Sequence, residues 1–383
     1  MEDERDPRRG WCGWLFPHGC WGESVSRKKF RSLISEDLRF SPHFLTMTFM
    51  SVAGRSVGAR HSSKLSSIIK RDIKTLTLNA GSTTLKYSLY DVTRKAGASA
   101  LHAEMIASGL VDKVGGSGTI THNKSIEVDN QPIPTHTAGL KMLLDVLKKK
   151  EGLDVSEIAC VGHRVVHGGA TFSKPTIITP DVLKEIKHLS SLAPLHNPPA
   201  VSGIEASGTI FPSAMQVAIF DTAFHTATMP PSSYRYAIPK DWYEKHNIRR
   251  YGFHGTSYSF VTDAVAKYLG KKTSDVNLIV AHMGGGASMC CIKNGQSIDT
   301  TMGLTPLEGL VMASRAGDLD LGVYDYLLKN GFTSDEIYTQ LNKKSGLLGL
   351  TGGQTSDMRE VSNKAMKGDA DCQLARAVFA ERW

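Results

Sequence analysis

The chain has no run of apolar residues approaching the ~20 that cross a bilayer, which argues against a membrane span. Its six cysteines, Cys12, Cys20, Cys160, Cys290, Cys291 and Cys372, contain no CxxC pair and no regular spacing. In a chain of 383 residues that argues for reduced thiols in an intracellular compartment, and against a disulfide framework or a zinc site. Cys12, His18 and Cys20 lie close in sequence, but their spacing suits no common zinc pattern. Also absent are GxxxxGK followed by Ser or Thr, a complete GxGxxG, and HExxH. Any nucleotide handling must therefore use another architecture.

An excess of positive charge is present overall but missing from most of the chain. The formal net charge is +8, yet residues 1–71 hold 13 Lys/Arg against 7 Asp/Glu and the rest 32 against 30. The larger part is nearly neutral, which removes the electrostatic argument for a nucleic-acid surface. The basicity is concentrated in an N-terminal extension. Residues 1–46 show neither helical nor strand periodicity. Residues 47–71, MTFMSVAGRSVGARHSSKLSSIIKR, carry five Lys/Arg, six Ser and no acid, the composition of an organelle transit peptide. We expect Met47 or Met50 to be the physiological start, with 1–46 an upstream reading of the gene. The alternative is a disordered basic tail without an address. The spaced Arg55 and Arg60 favour a mitochondrion over a plastid, and the cytoplasm is the destination if there is no address.

From residue 72 onward the pattern is α/β. Ile73–Leu78 and Leu85–Val92 alternate apolar and polar around the turn Asn79-Ala80-Gly81-Ser82-Thr83-Thr84, which predicts two strands and a tight turn, with Lys86 just beyond it. Strands are further expected at Thr119–Val128, Ile158–Val166, Met215–Asp221, Val276–His282 and Ser288–Lys293. Helices are expected at Thr137–Lys150, Tyr258–Leu269, Val323–Lys329, Ser334–Lys343 and Asp371–Glu381. Mixed strands and helices in two successive blocks suggest two α/β domains, 72–221 and 222–383.

The chemistry-bearing residues fall in the turns of that pattern. The hydroxyl-rich turn at Asn79–Thr84 offers backbone N–H groups and Ser82 and Thr84 oxygens, which suit a phosphate or magnesium. In GHRVVHGG, Arg164 leaves a strand into a double-glycine turn, where its planar fork suits carboxylate or phosphate. In LAPLHNPPA, prolines flank His196 and stiffen its loop. Asp221 ends an apolar strand, where α/β folds place catalytic groups. His254 sits between glycines ahead of a helix. His282 precedes the glycines Gly284, Gly285 and Gly286, a turn that lets backbone approach a phosphate, and Arg315 adds a second cation. Two arginines, an aspartate, two loop histidines and two Gly/Ser/Thr turns form a coherent set for phosphoryl transfer, in which the protein positions reactants and neutralises developing charge.

The motifs NAGSTTLKYSLYD, GHRVVHGG, LAPLHNPPA, FDTAFH, RRYGFHGTSY, HMGGGAS, TPLEG and NKKSGLLG, in this order, resemble the acetate kinases over essentially all of 72–383. The resemblance implies two duplicated ribonuclease-H-like domains of the actin/sugar-kinase type around a nucleotide cleft. It implies reversible phosphoryl transfer between ATP and acetate, giving acetyl phosphate and ADP, with Mg²⁺, in a homodimer. Asn79, with Ser82, Thr84 and Lys86, would line the phosphate and metal side. Arg164 and Arg315 would bind acetate and stabilise the transition state. His196 and His254 would hydrogen-bond the phosphoryl group, and Asp221 would organise metal or water. Val166, Leu195, Phe253 and Pro306 resemble the pocket for the acetate methyl. His282 with Gly284–Gly286 resembles the nucleotide-phosphate loop, and Asp357 and Arg359 the segment nearing the adenosine.

Three departures stand out. Thr84 replaces a usual Ser and keeps the hydroxyl. Gly285 replaces a common Asn, removing a side-chain donor and leaving ATP or pyrophosphate open as phosphoryl donor. The chain ends at Trp383 inside what the resemblance makes a helix, leaving the second domain incomplete, so we expect exposed apolar surface and weak folding or activity. An incomplete or mis-spliced gene model would explain that ending. A catalytically impaired binding protein and a propionate or butyrate kinase are the alternatives. The retention of Arg164, Asp221, His254 and Arg315 favours an enzyme.

Overall fold

The computed structural model describes residues 73–93 and 102–383. The expected leader, both candidate starts, and Cys12, His18 and Cys20 lie outside them.

Strands β1 (Ile73–Ala80) and β2 (Thr84–Thr93) form the expected hairpin, with Asn79 opposite Lys86 and Ala80 opposite Leu85. The turn closes by a 2.8 Å bond from the Gly81 N–H to the Thr84 carbonyl. Three strands continue the sheet on the β2 side: β3 (His102–Asp112), β4 (Gly116–His122) and β5 (Ser125–Ile133). On the other side lie β6 (Ile158–Val165), β7 (Thr176–Ile177) and β8 (Met215–Phe220), giving the order β5-β4-β3-β2-β1-β6-β8-β7. The single strand expected at Thr119–Val128 is in fact a hairpin. Asn123 and Lys124 both take positive φ, 47° and 73°, and turn the chain back between β4 and β5.

β1 runs parallel to β6, and β6 to β8. Parallel neighbours need crossovers, and helices His136–Glu151 and Asn197–Ile210 supply them. The first is capped by the Thr135 side chain, ends at a left-handed Gly152, and carries Lys148, Lys149 and Lys150 in its last turn, where they oppose the helix dipole. Leu140, Leu143 and Leu147 of this helix pack with Leu76, Leu78, Leu85 and Leu89 of the hairpin. The second helix replaces part of the expected stiff loop after His196. Pro198 and Pro199 lie in its first turn, where a missing N–H carries no penalty.

The boundary expected at Asp221 falls where β8 gives way to a short helix, Ala223–Thr226. Beyond it, β9 (Leu278–Met283), β10 (Ala287–Lys293) and β11 (Gln296–Thr300) form an antiparallel sheet in the order β11-β10-β9. Helix Gly255–Tyr268 covers it through Tyr258, which clusters with Val280, Cys290 and Ile292. The remaining expected helices are present as Gly322–Lys329, Ser334–Lys343 and Ala370–Arg382. No helix among the described residues is long and apolar enough to cross a membrane.

Candidate active site

Parallel pairing brings three strand ends to one edge of the large sheet. Leu78 pairs with His163, and Arg164 with Ile219, so Asn79, Arg164 and Asp221 emerge side by side at the C-terminal ends of β1, β6 and β8. The two-residue side-chain period puts all three on one face. Lys86 joins that face from across the hairpin, opposite Asn79, and is exposed like Ser82, while Thr84 is half-buried.

Asp221 is 2% exposed and accepts a forked contact from Arg164: Nε at 3.0 Å from Oδ1 and a terminal nitrogen at 2.6 Å from Oδ2. The carboxylate holds the Arg164 guanidinium above its ordinary range, against the opposing effect of burial. Both aspartate oxygens are thus engaged by the arginine. The Asp221 carbonyl in turn receives the Gly255 N–H at 2.8 Å. A Cβ at Gly255 would stand 2.3 Å from that carbonyl, so this position admits only glycine.

Immediately before Gly255, His254 is left-handed at φ 60°. For a residue other than glycine this costs on the order of 1–3 kcal/mol and persists only where surroundings enforce it. They do: His254 Nδ1 lies 2.7 Å from Ser288 Oγ, and its ring stacks on His282 with centroids 4.0 Å apart. His282 Nδ1 meets Ser257 Oγ at 2.9 Å. Burial first, then the His282, Arg164 and Arg315 charges, hold His254 well below its ordinary value, so the ring is neutral at neutral pH.

The three-glycine turn joins β9 to β10 and is closed by a 3.0 Å bond from the Gly284 N–H to the Gly286 carbonyl. A Cβ at Gly286 would come within 3.2 Å of His254 Nε2 and 3.5 Å of an Arg315 terminal nitrogen. Gly285 has open space around it. Arg315 donates to the Pro306 carbonyl at 3.3 Å and to His196 Nε2 at 3.3 Å. An arginine can only donate, so His196 Nε2 accepts from Arg315 in this arrangement. Burial, with Arg315 and Arg164 adding to it, pushes His196 down to about 4.

The apolar quartet gathers around the same point. Val166 packs on the cluster of Phe253, Ala287, Met302 and Met312. Pro306 is tied to Arg315, and Leu195 is half-buried beside His196. The loop carrying Pro306 is held by contacts sequence reasoning did not single out. Gly169 N–H donates to His167 Nδ1 at 3.0 Å, so His167 Nε2–H donates to the Leu304 carbonyl at 3.2 Å. Asn197 bonds both the N–H and carbonyl of His167 at 3.0 Å. The only prior signal for these was their adjacency to Arg164 and His196. Asp357 and Arg359 pair with each other at 2.6 Å, Asp357 capping helix Met358–Met366. No described contact joins them to the cluster above.

A family model described as the acetokinase family matches residues 74–383. The chain belongs to the acetokinase family. The acetate kinase of Thermosipho melanesiensis is 45% identical over 314 residues, covering 80% of this chain and 75% of that protein. Among solved structures, Porphyromonas gingivalis acetate kinase superposes with a TM-score of 0.72 at 39% identity, covering 81% of this chain and 77% of that one. A propionate kinase from Francisella tularensis gives 0.73 at 41%, covering 81% and 78%. This membership carries the duplicated actin/sugar-kinase fold.

Proposed function

We propose that this chain is an acetate kinase: it transfers a phosphoryl group reversibly between ATP and acetate, forming acetyl phosphate and ADP. The observation that carries the reading is the convergence of Arg315 and neutral His254 Nε2 on the Gly286 backbone, beside the Arg164–Asp221 pair. An acetate carboxylate between the two arginines would lose its repulsion for a phosphate approaching along the glycine turn. Charge growing on the transferred group would meet fixed donors already desolvated, which is where such donors act most strongly. Val166, Leu195, Phe253 and Pro306 would exclude water around the methyl group.

Mg²⁺ suits this site as an ion brought in with the nucleotide. Among the described residues there is no group of three or more His, Cys, Asp or Glu able to hold a metal alone. Magnesium commonly keeps its waters and uses only one or two protein ligands besides substrate phosphates, and Asn79, on the same sheet face as the Arg164–Asp221 pair, would supply one. When bound, it would neutralise charge on the phosphate oxygens. Lys86, Ser82, Thr84, His282 and Gly284–Gly286 would hold the phosphates, with Asp357 and Arg359 toward the adenosine.

Trapping acetyl phosphate as its hydroxamate from acetate and MgATP tests this, with Arg164→Ala as control. Product from the wild-type chain and none from the variant supports the reading; no product from a folded chain sinks it. Propionate is a second acceptor class, favoured by the likeness to a propionate kinase. One methylene discriminates by only about 1–3 kcal/mol, so competing acetate against propionate decides between them. A homodimer and mitochondrial import through 47–71 complete the proposal; sedimentation and N-terminal sequencing of the mature protein test each.

A further inference from the structure

The two ring nitrogens of His254 meet different surroundings. Nδ1 faces Ser288 Oγ, which also hydrogen-bonds the Tyr258 hydroxyl. Tyr258 and Ser288 are both 0% exposed, so neither hydroxyl can turn to solvent. Counting protons then fixes their directions. Among the described residues, the Tyr258 hydroxyl has Ser288 Oγ as its hydrogen-bond partner. A buried O–H that donates to nothing loses its hydration uncompensated, so the phenol hydrogen points at Ser288 Oγ. The hydrogen of Ser288 is left with His254 Nδ1, 2.7 Å away, as its acceptor. A neutral imidazole that accepts at Nδ1 carries its proton on Nε2.

We propose that Tyr258 and Ser288 are positioning residues that hold neutral His254 in the Nε2–H tautomer, so that the ring offers a donor at the point where the Gly286 backbone and Arg315 converge. The opposite tautomer would aim a lone pair at an anionic oxygen in that place and repel it. A free imidazole populates both forms; the buried relay removes the choice. The catalytic consequence rests on the phosphoryl-transfer reading, whereas the tautomer itself does not.

Long-range proton–nitrogen NMR of the full chain labelled with ¹⁵N-histidine reads the tautomer directly. His254→Gln, which deletes one pair of ring signals from the 14 histidines, assigns it. The expected result is a pyrrole-like Nε2 and a pyridine-like Nδ1. Ser288→Ala should draw the two shifts together as the lock is lost. Its kcat should fall about 10–100-fold with KM little changed, the size seen when outer hydrogen-bond partners of metal-bound histidines are removed. Tyr258→Phe should fall between, because Ser288 keeps its own hydrogen. A wild-type His254 that is Nδ1–H, mixed or doubly protonated overturns the proposal. So does Ser288→Ala with unchanged shifts and full activity. If the wild-type chain shows no phosphoryl transfer, the functional reading fails while the NMR still decides the tautomer.

Discussion

The two arginines of the site are held in opposite ways. Arg164 lies on the large sheet with its charge matched by Asp221, which raises its hold on its proton. Arg315 lies outside that sheet and leans on neutral acceptors: the Pro306 carbonyl, the Met312 sulfur and His196. Burial, and then Arg164, lower Arg315. Arg164 is therefore a fixed fork whose charge is already compensated, while Arg315 is a half-buried cation that an incoming anion would compensate. Already oriented by Asp221, Arg164 would meet an anion, whereas Arg315 would gain its compensating charge from that anion.

The contrast breaks most severely at Arg164. Arg164→Ala would strand a buried carboxylate, costing about 3 kcal/mol of stability, the lower end for a buried pair because the arginine side chain is 32% exposed. Urea unfolding measures this, and Asp221→Asn with Arg164→Ala should recover most of it. Arg315→Ala should behave in the opposite sense. Transfer activity should fall about 10²–10³-fold, as for loss of a direct charge-stabilising donor, with stability within about 1 kcal/mol of the parent. If both variants unfold alike, the distinction fails.

Two buried histidines set an acid limit. Burial pushes His163 and His225 from 6.5 down to about 4. Between those values the unfolded chain binds protons that the folded chain refuses, so stability falls as pH falls, by about 1.4 kcal/mol per pH unit for each such histidine. Urea midpoints across that window should decline steadily. The smallest effect is expected at Gly285→Asn, where open space accepts the side chain. Stability should change by less than about 0.5 kcal/mol, while the ratio of ATP to pyrophosphate use shifts if that added donor matters.

Local chemistry made much of this legible. The β1–β2 turn, the helix at His136–Glu151 and the glycine turn after β9 each announce themselves by periodicity, caps or glycines. The failures were equally physical. β3 reads HAEMIASGLVD, without clean alternation, and is a strand because β2 offers it an edge. Pro198-Pro199 read as a stiffened loop, yet prolines are equally at home in a first helical turn, and packing against Ala80 at Gly203 makes the helix real. Ser288 and Tyr258 could not be singled out, because nothing local in sequence says that their hydroxyls meet His254.

By itself, the sequence determined which residues carry charge, which turns tolerate close backbone approach, and the family that their order resembles. Those properties are covalent or local, and they survive unfolding. Only the tertiary structure decided that Asp221 is spent on Arg164, that His196 accepts from Arg315, and that His254 is neutral with one nitrogen committed to Ser288. These depend on distances across 57, 119 and 34 residues of chain and on the exclusion of water, which no local pattern encodes.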